Sequence, residues 1–288
     1  VDIAGAVNAW FRAHGRDLPW RQSGFSAWGT LVSEVMLQQT PVARVIPRLA
    51  DWLDRWPTAA ALAASSPGDA VRAWDRLGYP RRALNLHAAA VVITERHAGE
   101  VPADVDELLL LPGVGDYTAR AVAVFAHGRR HPVVDVNVRR VIARAIGGIS
   151  EAGPASRADL AAMDALLPDD DKEALVTNAA VMELGALVCT ARSPRCEVCP
   201  IAAACAWRLR GYPEFDGRRA RPQKRFEGSD RQVRGLIMAE LRASHVPVTR
   251  AEIDSVWADA VQRERALAGL LVDGLVHGGM AAGYCLPA

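Results

Sequence analysis

The chain lacks any long apolar run. Nothing in its 288 residues approaches the ~20 consecutive apolar positions of a membrane-crossing helix, so no membrane partner is expected. The N-terminal stretch carries no basic segment followed by an apolar core, which predicts no secretory signal. Charge of either sign is not in excess either. A formal +1 excludes a global positive field, so any nucleic-acid contact has to come from a local patch. One such patch runs from Arg208 to Arg234, with nine Lys/Arg against four Asp/Glu. Repeats and low-complexity tracts are missing. Cysteine is sparse: five in all, four of them clustered, which speaks against a disulfide framework and for a reducing, cytoplasmic compartment.

Helical periodicity fills the space that β-branched alternation leaves. Trp28, Leu31, Val32, Val35 and Met36 recur at three and four residues, as do Ala83, Leu86, Ala90 and Val91. Prolines and glycines at Pro41, Pro57, Pro67, Gly78–Pro80, Pro102, Pro112–Gly113, Pro132 and Pro168 divide residues 1–207 into about ten short helices. The chain is long enough for two or three domains, and the expected class is all-α. Beyond a basic linker at 211–228, residues 229–288 read as three helices and a possible hairpin. The Thr249–Glu252 capping box opens one of those helices, so this part is expected to form a winged-helix-like C-terminal module.

Three features carry chemistry. Cys189, Cys196, Cys199 and Cys205 form a C-x6-C-x2-C-x5-C array. One C-x2-C pair with wider gaps on both sides suits a compact loop around a 4Fe–4S cubane better than paired zinc knuckles, with a zinc clip as the alternative. Leu111-Pro112-Gly113-Val114-Gly115 lies between two helices, and its glycines would let backbone N–H groups approach a phosphate at the next helix start. An ordinary helix–turn–helix link would look the same. Asp135, ahead of Asn137 and Val138, is placed as an N-cap, and the helix dipole should keep its carboxylate ionised. An ionised carboxylate of this kind can face a developing oxocarbenium cation.

Hairpin, aspartate and cysteine array, in that order, resemble the helix-hairpin-helix DNA glycosylases with an iron–sulfur cluster, and within them the MutY family of adenine DNA glycosylases. The carrying stretches are Arg16–Arg21, Ser33–Thr40, Leu77–Tyr79, Leu111–Thr118, Asp135–Arg140 and Met182–Gly185, which cover residues 10–207 almost continuously. The resemblance implies a two-lobed fold: a six-helix bundle over 26–134, and a cluster domain from 1–25 and 135–210. It implies base excision repair on double-stranded DNA carrying an adenine opposite 8-oxoguanine or guanine, by a monomer associated with the nucleoid. Glu34 becomes the general acid, its proton held by the apolar Leu31, Val32, Val35, Met36 and Leu37 around it. Asp135 becomes the stabiliser of the sugar cation, with Asn137 orienting it. Tyr117 stands where bifunctional relatives such as endonuclease III carry a lysine, which implies base release without strand cleavage. Gln39 and Tyr79 would enter the duplex, Thr40 would bond the orphaned partner, and Gln38 would line the base pocket. Arg21 and Glu183 would touch the flipped base, and Gly113 and Gly115 a phosphate.

Pro80 stands where many members of the family have a second tyrosine, and Val136 where glycine is frequent. Residues 229–288 are too short and too helical for the Nudix-like domain that typical members carry. The linker arginines Arg218, Arg219 and Arg221 could clamp DNA or merely be solvated. A thymine or uracil mismatch glycosylase on the same scaffold, and a non-catalytic iron–sulfur protein that binds damaged DNA, are the alternative functions.

Overall fold

The structure is a computed structural model that describes residues 2–217 and 225–288; Arg218, Arg219 and Arg221 of the basic linker lie outside them. Regular structure among the described residues is helical apart from one short hairpin, in keeping with the all-α expectation. In chain order come α1 (Ile3–His14), α2 (Ala27–Leu37), α3 (Val42–Arg55), α4 (Ala59–Ala63), α5 (Pro67–Trp74) and α6 (Arg81–Arg96). The glycine turn lies between α7 (Val105–Leu109) and α8 (Asp116–Phe125). Next are α9 (Val136–Ile142), α10 (Arg157–Asp164), α11 (Asp171–Leu187) and α12 (Ala206–Leu209). The C-terminal part holds α13 (Asp230–Ala243), α14 (Arg250–Ser255), α15 (Ala260–Val272), β1 (His277–Gly279) and β2 (Gly283–Cys285). No helix of the described residues is long and apolar enough to cross a membrane.

Local sequence sets many of these ends. Asp2 accepts from the Gly5 N–H at 2.8 Å, and Ser66 caps α5 with Pro67 in its first turn. The capping box at Thr249 and Glu252 forms, with the Thr249 N–H donating to Glu252 Oε2 at 2.7 Å.

The described residues group into two compact units. A bundle unit comprises those among 31–102, 110–114 and 222–288. Its core is built on α2–α6 from Leu31, Met36, Leu49, Leu86 and Ile93, with Trp52 edge-on to Trp74 at 5.6 Å between ring centres. The C-terminal residues belong to this unit. There α13 packs on α15, β1 pairs antiparallel with β2, and Val248 bridges Tyr284 through two 2.8 Å hydrogen bonds. The C-terminal residues thus hold three helices and a hairpin, the elements expected of them.

A cluster unit comprises the described residues among 1–30, 103–109 and 115–221. Its core joins α1, α9, α10 and α11 through Val7, Val141, Met163 and Leu184. Side-chain bonds reinforce the α1–α11 contact, where the Asn8 amide donates to Thr177 Oγ1 at 3.0 Å. At Gly185 a Cβ would stand 2.8 Å from Asn137, so α11 meets the start of α9 only because residue 185 has no side chain.

Candidate active site

Within the bundle unit, α2 carries Glu34 at only 5% exposure, between Val32, Ser33, Val35 and Met36, all buried. An acid in that position is not a solvated helix charge. Past the end of α2 the chain turns through Gln38, half-buried, and Gln39, exposed and in left-handed backbone at φ 57°. The turn between α5 and α6 does the same at Tyr79, which is 46% exposed with φ 46°. Each non-glycine residue held there costs about 1–2 kcal/mol.

Arg82, in the first turn of α6, ties these two turns together. Its guanidinium donates to the carbonyls of Val35, Met36 and Gln38 on one side, and to those of Leu77 and Gly78 on the other. It also donates to Thr40 Oγ1 at 3.0 Å and lies 5.8 Å from the centre of the Tyr79 ring. Burial lowers its pKa to about 10, which leaves it charged at neutral pH. Thr40 is itself buried, and its hydroxyl reaches the Leu77 carbonyl at 3.3 Å, so it knits the two turns from inside. Sequence reasoning did not single out Arg82. Its only local signal is its position three residues after Tyr79 at the start of a helix.

Beside these turns, Gln38, Arg82, Asn85 and Gly113 line a small pocket. Gly113 has φ 77°, a conformation glycine adopts without strain, and Asn85 packs against it. Gly115 is the N-cap of α8, and no heavy atom lies within 4 Å of where its Cβ would stand. The backbone at the start of α8 is therefore open to a neighbouring group.

In the cluster unit, Asp135 caps α9, its Oδ1 accepting from the Val138 N–H at 2.7 Å and its Oδ2 from the Asn137 amide at 2.8 Å. The cap forms as the spacing predicts, yet the carboxyl does not titrate as the dipole argument alone expects. Burial raises its pKa above the ordinary value, and the bonds from Val138 and Asn137 only partly pull it back. Tyr117, on the first turn of α8, packs against the cluster of Ala121, Val124 and Val133. Arg140 donates to Asn137 Oδ1 at 2.7 Å and to the Cys189 carbonyl at 2.6 Å, joining the Asp135 cap to the cysteine loop.

The four cysteines line one concavity of about 390 Å³. Arg144, 4% exposed, lies behind it with Nη1 3.4 Å from Cys189 Sγ and donates to the carbonyls of Thr190 and Ala191. Burial lifts Cys199 to about 11 and Cys189 upward, so these two thiols ionise at neutral pH only beside a bound cationic centre. Among the described residues no three His, Cys, Asp or Glu converge on a single-ion site. One C-x2-C pair with wider gaps on both sides, and Arg144 at the Cys189 sulfur, suit an iron–sulfur cubane better than one zinc ion. Arg140 and Arg144 follow Asn137 at i+3 and i+7, a helical spacing that could have flagged them in the sequence.

Glu183 is 1% exposed, and both its oxygens are engaged. Arg16 donates to it from the backbone N–H at 2.9 Å, from Nε at 2.8 Å and from Nη2 at 2.7 Å, and Arg21 from Nη2 at 3.0 Å. Within the cluster unit the pair anchors the N-terminal loop to α11. Burial pushes the Glu183 pKa up, but the bonds from Arg16 and Arg21 outweigh it and hold the value at about 2. A value below the ordinary 4.5 stabilises the fold above that pH, and the contribution is lost as pH falls toward 2. Glu183→Gln should lower the unfolding free energy by about 2–4 kcal/mol at pH 7 in urea denaturation. The gap from the unsubstituted protein should close as the pH is taken below 4.5.

The comparisons agree with this chemistry. The family described as HhH-GPD superfamily base excision DNA repair protein matches residues 32–161, and the iron–sulfur binding domain of endonuclease III matches 189–205, from the first clustered cysteine to the last. The fold is shared with a solved thermostable thymine-DNA glycosylase, at a TM-score of 0.65 and 25% identity over 72% of this chain and 95% of that one. The chain is thus of the helix-hairpin-helix glycosylase class. The adenine DNA glycosylase of Mycolicibacterium smegmatis is 57% identical over 93% of this chain and 90% of its own length. The thymine/uracil-DNA glycosylase of Pyrobaculum aerophilum is 36% identical over 68% of this chain and 87% of its own length. The chain belongs to the adenine DNA glycosylase family, as an iron–sulfur DNA glycosylase of base excision repair.

Proposed function

We propose that this enzyme hydrolyses the N-glycosidic bond of adenine mispaired with 8-oxoguanine or guanine in double-stranded DNA, and that it does not cut the strand. The observation that carries the reading is Glu34, an acid almost wholly withdrawn from water on an apolar helix. Glu34 gives its proton to adenine N7, which makes the base a better leaving group. As the C1′–N9 bond breaks, the Asp135 carboxylate stabilises the cationic sugar or captures it transiently, and water completes the hydrolysis. Asn137 holds Asp135 in place through the 2.8 Å bond to Oδ2. Tyr117 offers a phenol where imine formation needs an amine, so no Schiff base forms with the sugar.

Gln39 and Tyr79 enter the duplex from the two turns that Arg82 joins, and Gln38 lines the pocket wall. Gly115 presents open backbone to a phosphate, and Gly113 makes the left-handed turn that leads to it. Cys189, Cys196, Cys199 and Cys205 would hold the 4Fe–4S cluster, which when bound gives the loop a fixed, electrostatically charged centre. Glu183 and Arg21 act through each other rather than on a base.

The 36% identity to a thymine/uracil-DNA glycosylase favours one second reading, action on T:G or U:G pairs. Single-turnover assays on duplexes with A:8-oxoguanine, A:G, T:G and U:G separate the two. The proposal expects base release from the first two duplexes, with strand breaks only after alkali or heat. Release confined to T:G or U:G would replace it, and breaks without such treatment would remove the monofunctional assignment.

A further inference from the structure

The C-terminal module does not hang free from the bundle unit. It holds both sides of the turn 75–80 that carries Tyr79. On the α5 side, Arg72 Nη1 reaches the carbonyls of Leu241, Arg242 and Ser244, at the C-terminal end of α13. A cation there meets the negative end of the helix dipole, so the contact is favoured twice. On the α6 side, Arg81 Nη1 lies 3.2 Å from Asp273 Oδ1, and Arg234 bonds the other oxygen. Asp273 is the C-cap of α15, where the helix dipole disfavours a negative side chain. Two arginines, one from each partner element, offset that cost. Between these grips, half-buried Arg242 feels the opposite charge of Asp75 and the like charge of Arg76. The chain end also lies on the first turn of α5, where a Cβ on Gly68 would come 2.3 Å from the Pro287 carbonyl.

A winged helix commonly presents its third helix to nucleic acid, but α15 is not built for that here. Its two arginines are each paired with a carboxylate. Arg263, 8% exposed, bonds Asp254 at 2.9 Å, and Arg265 bonds both oxygens of Asp230 at 2.7 Å. Glu264 lies between them. Where the module meets α5 and α6 it supplies acceptors, the carbonyls at the end of α13 and the Asp273 carboxylate, and the arginines come from α5 and α6.

We propose that the C-terminal module is a brace that fixes the turn 75–80 from outside, as Arg82 and Thr40 fix it from inside, and so positions Tyr79 for the duplex. The brace itself stands on the contacts above; its effect on DNA rests on the reading of Tyr79 as a duplex contact. Arg72 and Asp273 are then positioning residues that act through the tyrosine.

The test uses the full chain with Arg72→Leu, Asp273→Ala, Asp273→Glu and Tyr79→Ala. Hydrogen–deuterium exchange of residues 75–80 should quicken about tenfold in Arg72→Leu, which loses bonds from a charged donor. It should quicken about threefold in Asp273→Ala, where a half-exposed pair is lost, and return to the original rate in Asp273→Glu. The dissociation constant for an A:8-oxoguanine duplex should rise in step with exchange while the single-turnover rate at saturating enzyme changes less than twofold. In the Tyr79→Ala background neither substitution should weaken binding further. Unchanged exchange in 75–80, with any quickening confined to 229–288, overturns the brace. Quicker exchange with unchanged affinity, in a protein whose Tyr79→Ala variant does bind more weakly, overturns its role in DNA binding. If Tyr79→Ala itself binds DNA normally, the reading of that tyrosine fails, and the exchange data alone judge the brace.

Discussion

Glu34→Gln should slow base release from an A:8-oxoguanine duplex by about 10³-fold, within the range that general acids supply. Duplex affinity should stay within about twofold, because the substitution leaves the turns at Gln39 and Tyr79 unaltered. Glutamine fills the same volume in a site that is 5% exposed, so packing is kept and only the proton donor is lost. Single-turnover rates at saturating enzyme isolate the chemical step, and fluorescence anisotropy gives the affinity. A rate equal to that of the unsubstituted enzyme would defeat the acid assignment. A loss of rate matched by a loss of binding would make Glu34 a structural residue of α2.

Asp135→Asn carries the second large effect, about 10²–10³ in the single-turnover rate, as expected when a stabiliser of developing charge is neutralised. Its effect on stability should run the other way. Because burial raises the Asp135 pKa above the unfolded value, the contribution of this residue to stability is full below the unfolded pKa and is lost as pH rises through the folded one. Ionised Asp135 therefore costs the fold something at neutral pH. Asparagine still accepts the Val138 N–H as an N-cap without that cost. Tm at pH 7 should hold steady or rise while catalysis falls, the pattern of a group kept for chemistry. The same shift sets the acid limb of the pH–rate profile: activity should fall at a higher pH than an ordinary aspartate would give. Asn137→Ala, which removes a hydrogen bond to the ionised form, should move that limb further up. An acid limb that stays in place in Asn137→Ala would detach it from Asp135.

Much of the fold was legible because its signals are local. Helix periodicity, the proline and glycine breaks and the capping box at Thr249 each depend on residues a few positions apart. The caps at Ser66, Asp135 and Thr249 form with the bonding their side chains dictate. The chemistry of the cysteine loop was legible for a similar reason, since four thiols within seventeen residues leave few other uses. Burial and partner choice were not. Thr40 and Glu183 read as groups offered to DNA, whereas the structure engages the first with Arg82 and Leu77 and the second with Arg16 and Arg21.

By itself, the sequence determined that this chain is helical, that four clustered cysteines suit a cluster, and that Glu34, Tyr117 and Asp135 stand in the order the family resemblance implies. Only the tertiary structure decided which of its many arginines become internal ties. Arg72 has no local mark that separates it from solvated neighbours, and Arg82, Arg140 and Arg144 have only their helical spacing from Tyr79 and Asn137. Each is recruited by carbonyls that belong to distant segments and gather only when the helices pack. The tertiary structure likewise decided the direction in which Asp135 titrates, because desolvation depends on everything packed around a carboxyl, while a cap depends on three residues.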